Sequence, residues 1–382
     1  MRRATIILLA IVLAIFAFND QEIYKKDIRN RLVIQGIGID IEKDNSYTVT
    51  LQAIDTNSSA AASSDGASQP PLKVYKVKGD TIYTAIKTVT ESEGKTPLYS
   101  QNRIIILGKS ITEENMDNVI DFFVRDVENS SSVFVAAAEK TAAEILETKS
   151  GDEYVSARNL KNSIGSYEYD ARICATSLYE LISRYNSGTK DFAMPLLAVK
   201  EQNEEKDVEI IGTAIFNNTK YREYISKDDT IYLNILYNEV NNTALSYSME
   251  DNTRISLNVV KSKTKRTVKL ENGKPTFKIT VTMNADISEI SGGVTAVMKN
   301  SDIEKYKKRG EEYVEKQLHS LISTMHNRYE SDAAGLVRLL YICEQDFYKK
   351  NEKKLDEVMK NSIFEVECKI NIRRIGHEFI EL

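Results

Sequence analysis

His319 and His326 stand seven residues apart on a segment of helical periodicity, with Glu315 four residues before the first. Seven residues is close to two helical turns, so both imidazoles fall on one flank. A zinc-hydrolase helix instead places histidines at i and i+4 with a glutamate between them, and that spacing is absent. The two are read as exposed flank histidines without a chemical role; the third histidine, His377, is near the C-terminus. Gly36-Ile37-Gly38 lacks the third glycine and the downstream acid that a dinucleotide site needs. The sequence has no Walker-type phosphate loop and no Gly-x-Ser-x-Gly nucleophile turn. Asp228-Asp229 is a carboxylate pair in an expected turn, projecting into solvent. No residue is nominated as acid, base, nucleophile or metal ligand. The sequence therefore predicts no catalytic site, no cofactor and no metal.

The cysteines are three, an odd number, so at least one thiol is unpaired in the monomer. Each has apolar neighbours. Cys174 lies with Leu178, Leu181 and Ile182 at helical spacing, and Cys343 on the stripe Leu336, Leu339, Leu340 and Phe347. Cys368 alternates with Val366, Ile370 and Ile372. All three are expected as buried structural thiols, because a free cysteine packs as a small hydrophobe. A Cys343–Cys368 disulfide is open to the chain in an oxidising compartment.

The elements that position these residues can be read from hydrophobic spacing. Residues 32–40 read as a short strand, Leu32-Val33-Ile34, ending in a turn-prone Gly36-Ile37-Gly38-Ile39-Asp40. Residues 47–54 and 73–77 alternate as strands do, and the Ser-, Ala- and Pro-rich segment 57–71 between them reads as a surface loop. Ile82, Ala85, Ile86 and Val89 predict a helix over 81–91. Residues 103–107 suit a buried strand. Thr112 reads as the N-cap of a helix with Glu113 and Glu114 in its first turn and Met116, Val119, Ile120 and Phe123 on its buried stripe. Residues 133–137 follow as a strand, and Thr141 with Glu144 as a capping box. Strands alternating with helices predict a mixed α/β first domain.

At Lys200 the composition within residues 196–211 turns from apolar to charged, which suits an interdomain link. Strands are expected at 209–216, 230–237 and 254–260. Asn272-Gly273 predicts a hairpin continued by a strand over 276–283. A long helix over 302–329 carries Val314, Leu318, Leu321, Ile322 and Met325 as its stripe. Ser331-Asp332 caps a second helix running to about residue 350, and a last strand, 364–372, is placed to pair with the hairpin. The fold class is α+β: three mixed α/β domains, each a small sheet packed with helices, after an N-terminal signal or anchor segment. The expected boundaries are 1–19 for that segment, 20–199 for the N-terminal domain, 200–253 for a small middle domain, and 254–382 for a C-terminal domain with the long helix.

Arg2 and Arg3 lead into the uncharged residues 4–18, a charged start and short apolar core that read as an export signal. The run is shorter than the ~20 residues that span a bilayer comfortably. A lipoprotein signal would continue into a lipid-accepting cysteine, but Phe18 follows Ala17. The net charge of −5 argues against bulk nucleic-acid binding. Eight basic residues nevertheless gather between Arg254 and Lys278 against the single acid Glu271. On a strand, Lys261, Lys263 and Lys265 share one face, with Leu257 and Val259 on the same parity. They read either as edge lysines that block stray pairing or as a face held near anionic lipid headgroups.

Taken in order, several of these segments resemble the Ger(x)C family, the C subunit of nutrient germinant receptors of endospore-forming bacteria. The resemblance rests on Gly36-Ile37-Gly38-Ile39-Asp40, Gly79-Asp80-Thr81-Ile82, residues 99–108, Arg125-Asp126, Gly212-Thr213-Ala214-Ile215-Phe216, Glu271-Asn272-Gly273-Lys274 and Asp332-Ala333-Ala334-Gly335. It implies a three-domain α+β protein on the outer face of the spore inner membrane, without catalytic activity. Its implied partners are an A-type subunit, a transporter-like multispanning B-type subunit and the membrane surface, with no nucleic acid. The missing cysteine departs from the family's lipoprotein pattern. The alternative is a soluble extracytoplasmic protein that binds a small nutrient in a pocket between domains. A cell-wall hydrolase is disfavoured, since neither paired catalytic carboxylates nor zinc ligands emerge.

Overall fold

The computed structural model describes residues 31–54, 72–114, 116–125, 128–150, 153–202, 205–292, 300–375 and 378–379. Residues 4–18, 57–71, Asp126 and His377, discussed above, lie outside these. The chain opens with β1 (Arg31–Ile41), β2 (Tyr47–Ile54), β3 (Leu72–Gly79), α1 (Ile82–Glu93), β4 (Thr96–Leu98) and β5 (Ile104–Leu107). It continues through α2 (Lys109–Glu114), α3 (Met116–Arg125), β6 (Phe134–Ala138), α4 (Ala142–Glu147), β7 (Lys149–Ser150), β8 (Glu153–Tyr154), α5 (Ala157–Gly165) and α6 (Leu178–Tyr185). Next come β9 (Phe192–Gln202), β10 (Glu205–Asn217), β11 (Lys220–Ile225), α7 (Lys227–Tyr237), β12 (Thr243–Ser248), β13 (Arg254–Glu271) and β14 (Lys274–Ser291). The last elements are α8 (Asn300–Asn327), α9 (Val337–Cys343), α10 (Gln345–Asn351), α11 (Leu355–Lys360), β15 (Ile363–Ile375) and β16 (Glu378–Phe379).

Two sheets organise the α+β fold. The first runs β11-β10-β9-β6-β5-β1-β2-β3, with β4 beside β1. Its centre, β1, β5, β6 and β9, is parallel, and antiparallel strands flank it on both sides. A parallel centre must be covered on both faces, and two apolar layers do so. Ile37, Ile39, Ile105 and Leu107 pack with α1, α3 and α6. Ile104, Ile106 and Ala136 pack with α4 and α5 on the other face.

This explains why Gly36-Ile37-Gly38-Ile39-Asp40 is the body of β1 rather than a turn. Its isoleucines and glycines alternate across the sheet. A Cβ on Gly36 would lie 2.9 Å from the Ala157 methyl, and one on Gly38 3.0 Å from that of Ala142. The glycines thus let α4 and α5 approach the strand closely.

Four other expectations change. The charged end of residues 196–211 is no loop: β9 and β10 pair antiparallel out to Gln202 and Glu205, extending the first sheet. The composition shift marks where this hairpin leaves the core and its side chains meet solvent. Residues 230–237 form most of helix α7 instead of a strand. Ser226 caps it by accepting from Asp229 N at 3.0 Å, and Asp228 and Asp229 occupy its first turn. Residues 230–236 are all buried, so no polar face reveals the helical period. Thr112 is not an N-cap but lies inside α2, donating its hydroxyl to Lys109 O. The helix expected up to residue 350 breaks at Glu344 into α9 and α10.

The second sheet runs β12-β13-β14-β15-β16, with β15 parallel to β14. Asn272 and Gly273 both take positive φ (51° and 77°), which the tight hairpin between β13 and β14 requires. Phe277, Ile279, Val281 and Met283 turn inward against the α8 stripe of Val314, Leu318, Ile322 and Met325. Helix α8 spans this sheet from β12 to β15. Arg309 Nε donates to Ser248 O on β12, while Glu315 and Glu311 accept from Cys368 N and Ile370 N on β15.

Candidate functional site

The residues that first suggested chemistry are dispersed. His319 is exposed. His326 is buried, not exposed as expected: its ring stacks on Phe364 at 5.4 Å, and burial pushes its pKa down to about 4. Glu315 is occupied by the β15 backbone. Asp228 and Asp229 are exposed, as expected, but at a helix start. The three thiols are free. Cys174 precedes α6 rather than riding on it; it is buried, and burial pushes its pKa up to about 12. Cys343 is exposed because α9 ends there, and Cys368 is half-buried.

Several buried polar side chains converge instead on backbone. Asp40 shares the glycine face of β1, so its carboxylate reaches the start of α4 and accepts from Ala142 N (2.9 Å) and Ala143 N (3.0 Å). Thr141 accepts from Glu144 N, so the helix start is held from two sides. Burial raises the Asp40 pKa, and the two N–H donors oppose that shift. On β2, Gln52 accepts from Ala157 N and donates to Leu146 O and Val155 O, tying the end of α4 to the start of α5.

A second convergence joins the two sheets. Residues 330–335, after α8, cross to the end of β10. Ser331 Oγ donates to Phe216 O at 2.7 Å, and Asn217 Nδ2 donates to Glu330 O. Asp191, just before β9, accepts from Asp332 N at 2.7 Å and Asn218 N at 2.8 Å. Asp332 in turn accepts from Leu336 N and Val337 N, both at 2.8 Å. Tyr237 donates to Ala333 O and Arg266 to Ala334 O. Burial raises Asp191 to a pKa of about 7 and Asp332 to about 6. The expected helix-cap role of Ser331-Asp332 is thus partly met, by Asp332 four and five residues ahead of its donors. Asp191 was not singled out by sequence; an acid at the mouth of a strand carries no local pattern.

Several clefts open to solvent among the described residues, and two of them border the elements described above. One of about 870 Å³ lies between α1 and α3, lined by Tyr47, Tyr83, Tyr99 and Phe122 with the ion pair Asp121–Arg125 (2.9 Å). A smaller cleft of about 370 Å³ lies at the junction, beside Arg184, Asp191, Asp332 and Arg338. Among the described residues no three His, Cys, Asp or Glu side chains are grouped to hold a metal ion. No helix of the described residues is long and apolar enough to cross a membrane.

This is an α+β protein organised by two main sheets, with Asp40, Gln52, Asp191 and Asp332 turned on its own backbone and a polar lock between the sheets. Residues 24–199 match the family described as the spore germination protein N-terminal domain, and residues 211–376 the spore germination B3/GerAC like C-terminal family. The chain belongs to this Ger(x)C family of spore germination proteins. It is 22% identical to spore germination protein B3 of Bacillus subtilis (strain 168) over 355 residues, 92% of this chain and 93% of that protein. Spore germination protein KC of the same organism is 21% identical over 286 residues, 70% of each chain. The crystal structure of the GerBC protein superposes with a TM-score of 0.58 at 19% identity, covering 88% of this chain and 96% of that one. That likeness shows the shared fold.

Proposed function

We propose that this chain is the C-type subunit of a nutrient germinant receptor, exported and held at the outer face of the spore inner membrane. It acts there beside an A-type and a multispanning B-type subunit, and it performs no catalytic step. The observation that carries this reading is the ordered match of both halves to one germination family, over nearly the full length of a curated member. The engagement of Asp40, Asp191 and Asp332 by backbone N–H groups supports it, because carboxylates so held are structural. Its role is interfacial: the lock at residues 330–335 keeps the two sheets in one relation, and receptor signalling acts through contacts that differ between receptor states.

The test is co-purification of a tagged full-length chain from detergent-solubilised spore inner membranes. Recovery of a transporter-like polytopic subunit and a second large membrane subunit is expected. Recovery of the chain alone, in the soluble fraction, would overturn the reading. The aromatic-walled cleft of about 870 Å³ favours a second reading, a free nutrient-binding protein. It would then be stabilised by its nutrient by RT ln(1 + [L]/Kd), about 2.7 kcal/mol at a hundredfold excess over Kd. A receptor scaffold shows no such response.

A further inference from the structure

The basic stretch of the sequence takes up a definite arrangement on the second sheet. A register shift between Val259 and Lys261 reverses the parity of β13. Leu257 and Val259 are therefore buried, while Lys261, Lys263, Lys265 and Lys269 stand exposed on the opposite face, correcting the shared parity expected from sequence. Arg266 leaves the set, since it points inward to Ala334 O. Strand pairing continues each lysine into a row across the sheet. Lys261 is in register with Asn284 and Asn371, Lys263 with Thr282 and Lys369, and Lys265 with Thr280 and Glu367. Lys278, one row on, is neutralised by Glu367 at 2.7 Å. Lys261, Lys263, Lys265 and Lys269 form no ion pair with another described residue.

Edge protection does not account for these lysines. The free rim of β13 is already closed beside them, where Ser262 N donates to Val240 O at 3.0 Å and Thr264 N to Asn238 Oδ1 at 2.7 Å. The lysines stand on a face, with Lys261, Lys263 and Lys265 roughly 7 Å apart along the strand and Lys269 about twice that beyond Lys265, and repel one another unless an anion covers them.

We propose that this face is a docking surface for an anionic lipid membrane. The proposal rests on the receptor reading for the presence of a membrane, and on the lattice of lysines for the face. In the rows from Lys261 to Lys269 the lysines (Lys261, Lys263, Lys265, Lys269, Lys278 and Lys369) outnumber the acids Glu365 and Glu367, and threonine, asparagine and Ile363 fill the rest, without an aromatic residue or an outward arginine. Protein partners anchor on Tyr, Trp and Arg and exclude Lys from the interface core. A headgroup layer asks only for an array of mobile cations. The chain as a whole carries −5, so the remainder of the molecule is repelled by the same surface and the face is turned toward it. Ile363, exposed on the same side of β15 as Glu365 and Glu367, adds an apolar contact at the end of the face.

The chain contains no tryptophan, so Ile363→Trp introduces a single reporter. Full-length protein carrying it is mixed with phosphatidylcholine vesicles containing a dansyl-headgroup lipid, with or without about 30% phosphatidylglycerol. Energy transfer from the indole reports whether this face meets the surface, even if residues 1–18 hold the chain on both vesicle types. Transfer is expected with anionic vesicles, weakening as salt rises from about 0.1 to 0.5 M, and absent with phosphatidylcholine alone. Lys261→Gln, Lys263→Gln and Lys265→Gln together should reduce it by roughly 30- to 100-fold in apparent partitioning, and the three Lys→Arg changes should restore it. The same number of charges removed at Lys349, Lys353 and Lys354 should leave it unchanged. All these positions are exposed, and circular dichroism checks the fold.

Absent transfer with anionic vesicles, or equal transfer with neutral ones, overturns the proposal. So does transfer indifferent to the three glutamines. If the glutamines instead abolish co-purification of the membrane subunits while no transfer occurs, the face docks a protein. The lipid proposal then fails and the receptor reading stands. Failure of the unmodified chain to co-purify sinks the receptor reading whatever the vesicles show.

Discussion

In the first sheet, two buried polar side chains finish on the backbone of neighbouring helices: Asp40 on the start of α4, Gln52 on the end of α4 and the start of α5. In the second, His326 is buried against Phe364 with no hydrogen-bond partner for Nε2. The first arrangement makes polar groups part of the layer packing. Both faces are covered, and the glycines of β1 and Gly108 admit no side chain. The second sheet has one apolar face and one wet face of lysine and threonine, and its core tolerates an imidazole that burial keeps neutral. Tight helix–sheet packing leaves the parallel centre of the first sheet no free surface. The second keeps one.

The sharpest way to break this contrast is Gly108→Ala. A methyl there would fall on the Asp40 carboxylate, which Ala142 N and Ala143 N hold in place. A loss of about 3–5 kcal/mol is expected, combining overpacking with displaced hydrogen bonds, measured by urea denaturation. Asp332→Ala should cost about 2–4 kcal/mol by leaving the buried Leu336 and Val337 amides unpaired. Because it cuts the lock, hydrogen exchange should rise first at residues 330–337, ahead of either sheet.

The two regions should also differ in pH response. His326 falls from 6.5 to about 4 on folding, so the unfolded chain takes up a proton that the native state refuses. Stability contributed there is lost as pH drops from about 6.5 to 4, on the order of 3 kcal/mol. Asp191 is raised from 3.8 to about 7 by burial, so the native state holds a proton that the unfolded chain releases. Stability contributed there is lost as pH rises from about 4 to 7. His326→Leu should flatten only the acid limb of the urea midpoint against pH, and Asp191→Asn only the limb toward neutrality. One limb responding to both substitutions would show that the regions are not independent. Smallest of all, Thr282→Val on the wet face should change stability by no more than about 0.5 kcal/mol.

Much of the fold was legible locally. The α1 and α3 stripes, the Asn272-Gly273 hairpin and the long helix α8 each show a periodicity within one element, and each forms where that periodicity places it. Two exceptions have opposite causes. Helix α7 is apolar all round because tertiary packing buries every side, so its period is hidden. The charged hairpin β9–β10 looked like a link because its backbone is satisfied by pairing while its side chains face water.

By itself the sequence determined the apolar stripes, the turn chemistry, the absence of any motif for catalysis, and the ordered motifs that mark the family. Only the tertiary structure decided why those motifs are there. Asp191 and Asp332 meet across 141 residues, and no local spacing encodes such a contact. A single register shift after Val259 decided which way the lysines face, because slipping one residue exchanges the two sides of a strand. His326 was assigned to solvent by its place on the helix flank, and β15 with Phe364 covers that flank. Period fixes which residues share a face; what lies opposite that face depends on where the rest of the chain packs.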